Sequence, residues 1–185
     1  MNGKLKVQGN DSRMRNGELE ERVGAAEKRT DSYDKMFVRA KSEAYRLLTY
    51  RPRSCAELRQ KLQAKTFNDA VIDAVLEFLA QLGYVNDSLF AEQFASSRIR
   101  LCGWGKRRIG RELGNKGIER QVINETLSRI FEHDTEIVTA KKAAERKLAS
   151  MKSVDRKTRY RRLAGFLERR GFSFDVIRAI LRSGV

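Results

Sequence analysis

The chain has a single proline and a single histidine in 185 residues, and only two cysteines. These scarcities exclude several kinds of chemistry. His133, Cys55 and Cys102, with no CxxC pair among them, supply too few nitrogen and sulfur ligands for a zinc site. His133 lies between Glu132 and Asp134 at a helix junction, where a solvated residue or a cap accounts for it better than a catalytic base. The cysteines sit far apart inside helical patterns; they could close one disulfide, but without an export signal they read as reduced thiols of a cytoplasmic protein. No apolar run approaches the roughly eighteen residues of a membrane span. The opening stretch MNGKLKVQGNDSRMRNGELEER lacks the apolar core of a secretory signal. Nor do carboxylates gather at the spacing a metal-dependent nuclease needs. The expectation is a protein with no cofactor, no bound metal, no membrane partner and no catalytic residues.

What the chain has in excess is positive charge. The formal net charge is +15, which points to a polyanionic partner, either nucleic acid or an acidic protein surface. Residues 1–40 carry nine basic and seven acidic side chains, and the remainder thirty and seventeen. The field therefore belongs to the folded part and not to a basic tail. Leu, Ala, Arg, Lys, Glu and Gln dominate, all helix-favouring, and no strand-like alternation persists.

A repeat organises the chain. The stretch Lys106 to Leu127 reads as a short basic helix, a glycine stop and a second helix, with Ile109, Leu113, Ile118, Val122, Ile123 and Leu127 apolar. The frame recurs 51 residues earlier as Leu58, Leu62, Phe67, Val71, Ile72 and Leu76, and 54 residues later as Leu163, Leu167, Phe172, Val176, Ile177 and Leu181. A helix-turn-helix pattern conserved across such a period means an array of units. The predicted fold is all-α, about nine helices in three tandem three-helix repeats: residues 39–85, 86–132 and 133–185, after a flexible, disordered extension over 1–38. Each unit is small, so neighbours should pack end to end.

Local signals fill in the units. Arg51-Pro52-Arg53 breaks the first helix, and Ser54 with Glu57 has capping-box spacing. Asn68, Asn86 or Asp87, Asp155 and Ser173 stand where N-caps are needed. Leu82 extends the stripe of the helix after Asn68, Ile137 and Val138 open the inward face of the helix after Asp134, and Tyr160 joins the stripe of the helix after Asp155.

The charges left over by this scaffold are the candidate contact residues. Lys65, Lys116 and Arg170 occupy one position in the three repeats, beside a helix end, where interaction with the helix dipole explains them without a partner. Arg107 and Arg111 differ. With Ile109 and Leu113 buried, at 100° per residue they point outward. Gly110 and Gly114 nearby cost the helix about 1 kcal/mol each relative to alanine, which a close approach by a partner or a neighbouring helix would explain. Trp104, between Gly103 and Gly105, could stack on a base, fill a partner pocket or cover its own core. Arg98, Arg100, Lys106 and Arg108 extend this edge, and Arg156, Lys157, Arg159, Arg161 and Arg162 make the corresponding helix of the third unit strongly basic. No base-reading motif is present. An autonomous nucleic-acid-binding protein built of helix-turn-helix units is therefore one reading.

Over residues 41–185 the chain resembles the RecX family of recombination regulators. The likeness rests on Ala44-Tyr-Arg-Leu-Leu48, on Ser54-x-x-Glu57-Leu58-x-x-x-Leu62-x-x-Lys65, and on Gly83-Tyr84-Val85-Asn86-Asp87-x-x-Phe90-Ala91. It continues through Arg98-x4-Gly103-x-Gly105, Arg108-Ile109-x3-Leu113-x2-Lys116-Gly117-Ile118 and Arg169-Arg170-Gly171-Phe172-Ser173-x-Asp175-Val176-Ile177. The resemblance implies an elongated, curved, monomeric, non-enzymatic array. It implies binding to the RecA–DNA filament, with inhibition of RecA in repair, recombination and the SOS response, and for some members direct contact with single- or double-stranded DNA. Thr66 departs from the family glycine that Gly117 and Gly171 preserve. A β-branched residue is awkward at positive φ, so a different turn geometry is expected there. Residues 1–40 have no family counterpart.

Overall fold

The computed structural model describes residues 32–132, 135–151 and 155–183. Most of the extension expected over 1–38, and the roles expected of His133 and Asp134, lie outside them. Among the described residues there are nine helices and no strand: α1 (32–50), α2 (Cys55–Gln63), α3 (Asp69–Gln81), α4 (Asp87–Cys102), α5 (Lys106–Asn115), α6 (Arg120–Ile130), α7 (Thr135–Ala149), α8 (Arg156–Arg170) and α9 (Phe174–Arg182). They form three three-helix units in chain order. α1 is already helical at residue 32, the first described residue and inside the stretch assigned to the extension, and Tyr33, Met36 and Phe37 pack on the first core.

The ends of the helices follow the local chemistry. Ser54 closes a capping box with Glu57, and the side chains of Asn68, Asn86, Asp155 and Ser173 each accept a backbone N–H of the following first turn. Such caps satisfy donors the helix itself leaves unpaired, worth ~1 kcal/mol apiece. Thr66 has φ 61°, the same left-handed region as Gly117 at 73° and Gly171 at 87°. The expected change of turn geometry does not occur; the threonine accepts the strained conformation, and its hydroxyl donates to the Lys65 carbonyl.

Each unit has its own core, and the repeated frame builds it. Of the eighteen repeated apolar positions, all are buried except Phe67, Val122, Val176 and Leu181, which are half-buried. Full burial of one such side chain contributes roughly 1.5–3 kcal/mol. Three expectations are corrected. Leu82 lies beyond the end of α3 and is exposed. Ile137 and Val138 are exposed because α7 turns its small residues Thr139, Ala140, Ala143 and Ala144 inward, close against α8 and α9. Tyr160 is exposed too, its hydroxyl donating to the Leu181 carbonyl across α8 and α9.

Candidate partner-binding face

The units join through their middle helices. The N-termini of the first two middle helices, α2 and α5, each meet the C-terminal turn of the middle helix in the unit that follows. At the first seam the Ser54 hydroxyl donates to the Lys116 carbonyl (2.6 Å), and Lys116 Nζ lies 2.9 Å from Glu57 Oε1. At the second, the Gly105 N–H donates to the Arg170 carbonyl (2.8 Å) and the Arg107 N–H to the Gly171 carbonyl (3.0 Å). The Lys106 N–H donates to Glu136 Oε1 at 3.2 Å. α5 has no side-chain cap of its own; the third unit caps it. Orphan amides at one helix end thus meet orphan carbonyls at another, and the dipoles meet positive end to negative end. Burial raises the Glu136 carboxyl above its ordinary range, against the Lys106 amide.

Contact at these seams is too close for side chains. A Cβ at Gly117 would stand 2.3 Å from Ala56 Cβ, and one at Gly171 2.4 Å from the Arg108 nitrogen. Thr66 lies in the first described unit, away from both of these seams, and its side chain costs backbone strain at φ 61°.

The basic edge of the second unit divides at this seam. Trp104 is half-buried and sits edge-on to Phe94 at 6.4 Å between centroids. The Arg108 guanidinium lies 4.1 Å over the indole, and that of Arg98 lies 4.9 Å over Phe94 and 5.2 Å from Trp104. Arg108 also donates to the Arg169 carbonyl. Arg98, Trp104 and Arg108 therefore form a cation–aromatic stack that closes the second core and fastens the third unit to it. Of the readings open for Trp104, a lid on its own core is the geometry found. Lys106 is half-buried beside Glu136.

Arg100, Arg107 and Arg111 are exposed, as are Arg156, Lys157, Arg161 and Arg162 on α8; Arg159 is half-buried. The structure does not gather these into one cluster. Arg161 lies nine residues before the seam residue Arg170, about 13 Å along α8. Apart from Arg100 on α4, the cations are instead strung along the middle helices α5 and α8. A Cβ at Gly110 would be 3.1 Å from Leu127 Cδ1, so the neighbouring helix leaves little room there. Gly114 faces open space.

Sequence reasoning missed one site. Lys116, read as a helix-end charge, lines a cleft of about 520 Å³ with Arg51 and Arg98 over Phe90 and Phe94. Glu57 anchors two of these cations. Burial acts to raise its pKa, but hydrogen bonds from Arg51 and Lys116 outweigh that and hold it at about 2. Only the recurrence of a cation at this repeat position hinted at such a role. Among the described residues no three His, Cys, Asp or Glu side chains gather as a metal site, and no helix is long and apolar enough to cross a membrane.

Family models for the first, second and third three-helix domains of RecX match residues 40–79, 86–127 and 134–181. The regulatory protein RecX of Clostridioides difficile is 34% identical over 148 residues, covering 80% of this chain and 69% of that one. Its counterpart in Thermobifida fusca is 32% identical over 147 residues, covering 80% and 79%. The crystal structure of RecX from Lactobacillus salivarius superposes with a TM-score of 0.73 at 19% identity, over 81% of this chain and 97% of that one.

Proposed function

The chain belongs to the RecX family of regulatory proteins, and from that membership we propose that it restrains the RecA recombinase by binding the RecA–DNA filament. The observation that carries the reading is the row of exposed cations along the middle helices. Arg107 and Arg111 on α5 and Arg156, Lys157, Arg161 and Arg162 on α8 have no carboxylate partner among the described residues. A filament of protein and DNA offers such a row both phosphates and acidic side chains. The seams support the same reading, because hydrogen-bonded units hold their charges at fixed spacing and lose little freedom on binding. The protein acts as a binder, in the cytoplasm as a monomer, and its effect is felt in repair, recombination and the SOS response.

The test is the DNA-dependent ATPase of the recombinase. Inhibition is expected well below one molecule per recombinase subunit. The charge-reversing variant Arg107→Glu/Arg111→Glu, folded as shown by circular dichroism, should inhibit at least about tenfold less well. Inhibition that appears only when enough protein is added to coat the DNA overturns the proposal in favour of a plain nucleic-acid binder.

A further inference from the structure

The groove between the middle and last helices is built differently in each of the three units. In the first unit Arg59 on α2 and Asp73 on α3 form an ion pair at 2.5 Å across it. In the second, Gly110 takes the place of Arg59, and Leu127 Cδ1 lies 3.1 Å from where its Cβ would stand. In the third, the corresponding residues are Ala164 and Arg178, which form no such pair, and the Tyr160 hydroxyl crosses from α8 to the Leu181 carbonyl on α9 instead. Arg178 turns aside over the Phe174 ring, 4.5 Å from its centroid. What remains is a groove of about 400 Å³ between α8 and α9.

Its lining departs from the repeat where a scaffold has no reason to. Phe174 is 65% exposed, at a position held by Asp69 and Arg120 in the other units. Arg178 and Arg182 stand where those units have Asp73 and Glu77, or Asn124 and Ser128. The floor is Ala164, Phe172, Ile177 and Leu181. Arg107, Arg178 and Arg182 stand around it with a single carboxylate, Glu168, and among the described residues none of the three is ion-paired.

We propose that this groove docks a segment of a protein partner, one that inserts a large apolar side chain between α8 and α9 and sets carboxylates on Arg107, Arg178 and Arg182. The charge excess calls for an acidic occupant. The floor favours a protein side chain over a nucleic-acid base: it is apolar and the Tyr160 hydroxyl is already committed to the Leu181 carbonyl, so any polar edge of a base that sank below the arginines at the rim would be buried without partners, at a cost of at least about 1–3 kcal/mol. An aliphatic or aromatic side chain buries there without that cost. The inference rests on the reading of the chain as a binder of a protein filament, and it names the kind of segment bound.

The experiment uses the full chain and three fluorescein-labelled peptides. One has a central Phe-Leu pair flanked by glutamates, one replaces the pair with serines, and one replaces the glutamates with lysines. Fluorescence anisotropy should show the first binding about tenfold or more tighter than either control, as expected for an apolar anchor ringed by charge. The variant Ala164→Arg/Arg178→Asp rebuilds the ion pair of the first unit and should abolish that preference with helicity unchanged. Should the double variant fail to fold, Phe174→Ser, at an exposed position, should reduce the preference at least severalfold. Equal binding of all three peptides, or wild-type preference in a folded closed-groove variant, overturns the proposal. So does displacement of the peptide by oligo-dT, or a groove already held by residues 1–31 or by a second copy, so that no peptide enters. No recombinase is present in this assay. A failed peptide together with intact ATPase inhibition rejects the groove and leaves the function standing.

Discussion

Lys116 Nζ and Glu57 Oε1 lie 2.9 Å apart across the boundary between the first two units, and this pair is at once a seam and the wall of a cationic cleft. Glu57 also accepts both terminal nitrogens of Arg51 at 3.1 Å and completes the capping box with Ser54. One carboxylate therefore holds a helix start, a chain break and the neighbouring unit together.

Glu57→Gln separates these roles. Glutamine retains the capping-box geometry but loses the charge that draws in Arg51 and Lys116. The side chain is only 17% exposed, so the hydrogen bonds to charged partners are partly desolvated and their loss should cost roughly 1–2 kcal/mol. Urea unfolding should show a lower midpoint with an unchanged slope. An unchanged midpoint would mean the pair contributes no more than an exposed ion pair.

The same carboxylate sets an acid limit. Its pKa is about 2 in the folded protein and near 4.3 in an unfolded chain. A depressed folded value gives stability that is present in full above the unfolded value and is lost as pH falls from about 4.3 towards 2. Thermal midpoints measured across that window should fall for the wild type and fall less steeply for Glu57→Gln. Parallel curves for the two proteins would remove Glu57 from the acid transition.

The array itself was legible in the sequence; its joints were not. The apolar frame predicts the cores because it depends only on spacing within a helix, and Ser54, Asn68, Asn86, Asp155 and Ser173 predict helix starts because capping is a contact of a few residues. The seams join residues far apart, Ser54 to Lys116 and Arg108 to Arg169, and no periodicity says which turn meets which helix. For this reason Lys116 passed as a helix-end charge and Arg108 as a free contact. The α8–α9 groove was hidden for another reason: it is made by what Ala164 and Arg178 fail to do, visible only beside the Arg59–Asp73 pair. Exposure of Ile137 and Val138 was missed because a small-residue face of α7 packs more closely than the apolar stripe suggested.

Left-handed positions offer a graded test of the seams. At Gly83 an added Cβ meets nothing within 4 Å, so Gly83→Ala should lose only the backbone term, about 1 kcal/mol. At Gly171 the Cβ would also lie 2.4 Å from the Arg108 nitrogen and 2.8 Å from its Cα, and backbone cannot move aside without parting the units. Gly171→Ala should cost at least about 2–3 kcal/mol. Thr66→Gly runs the other way: relief of strain at φ 61° should exceed the added chain entropy and leave the protein equal or up to about 1 kcal/mol more stable. Equal losses at Gly83 and Gly171 would show that the second seam does not hold in solution.

Trp104 separates a structural lid from a base-stacking platform. It is the only tryptophan in the chain, so its emission reports on the joint between the second and third units. Arg108 lies 4.1 Å over one face, and a base stacking on that face would first have to unseat the guanidinium from the Arg169 carbonyl. Trp104→Leu should therefore lower stability by about 1–3 kcal/mol through lost packing and lost cation–π contact. It should leave affinity for single-stranded DNA within about twofold of wild type at conditions where the variant is folded. A stacking role would cost that binding about 1–3 kcal/mol per base. Titration of oligo-dT at several salt concentrations decides between the two. For the lid, affinity falls with salt along the same slope in both proteins, set by the exposed arginines and lysines, and the indole emission of the wild type barely changes. Strong quenching by DNA, together with weakened binding by the leucine variant at every salt concentration, would place a base on Trp104 and require the Arg108 stack to open.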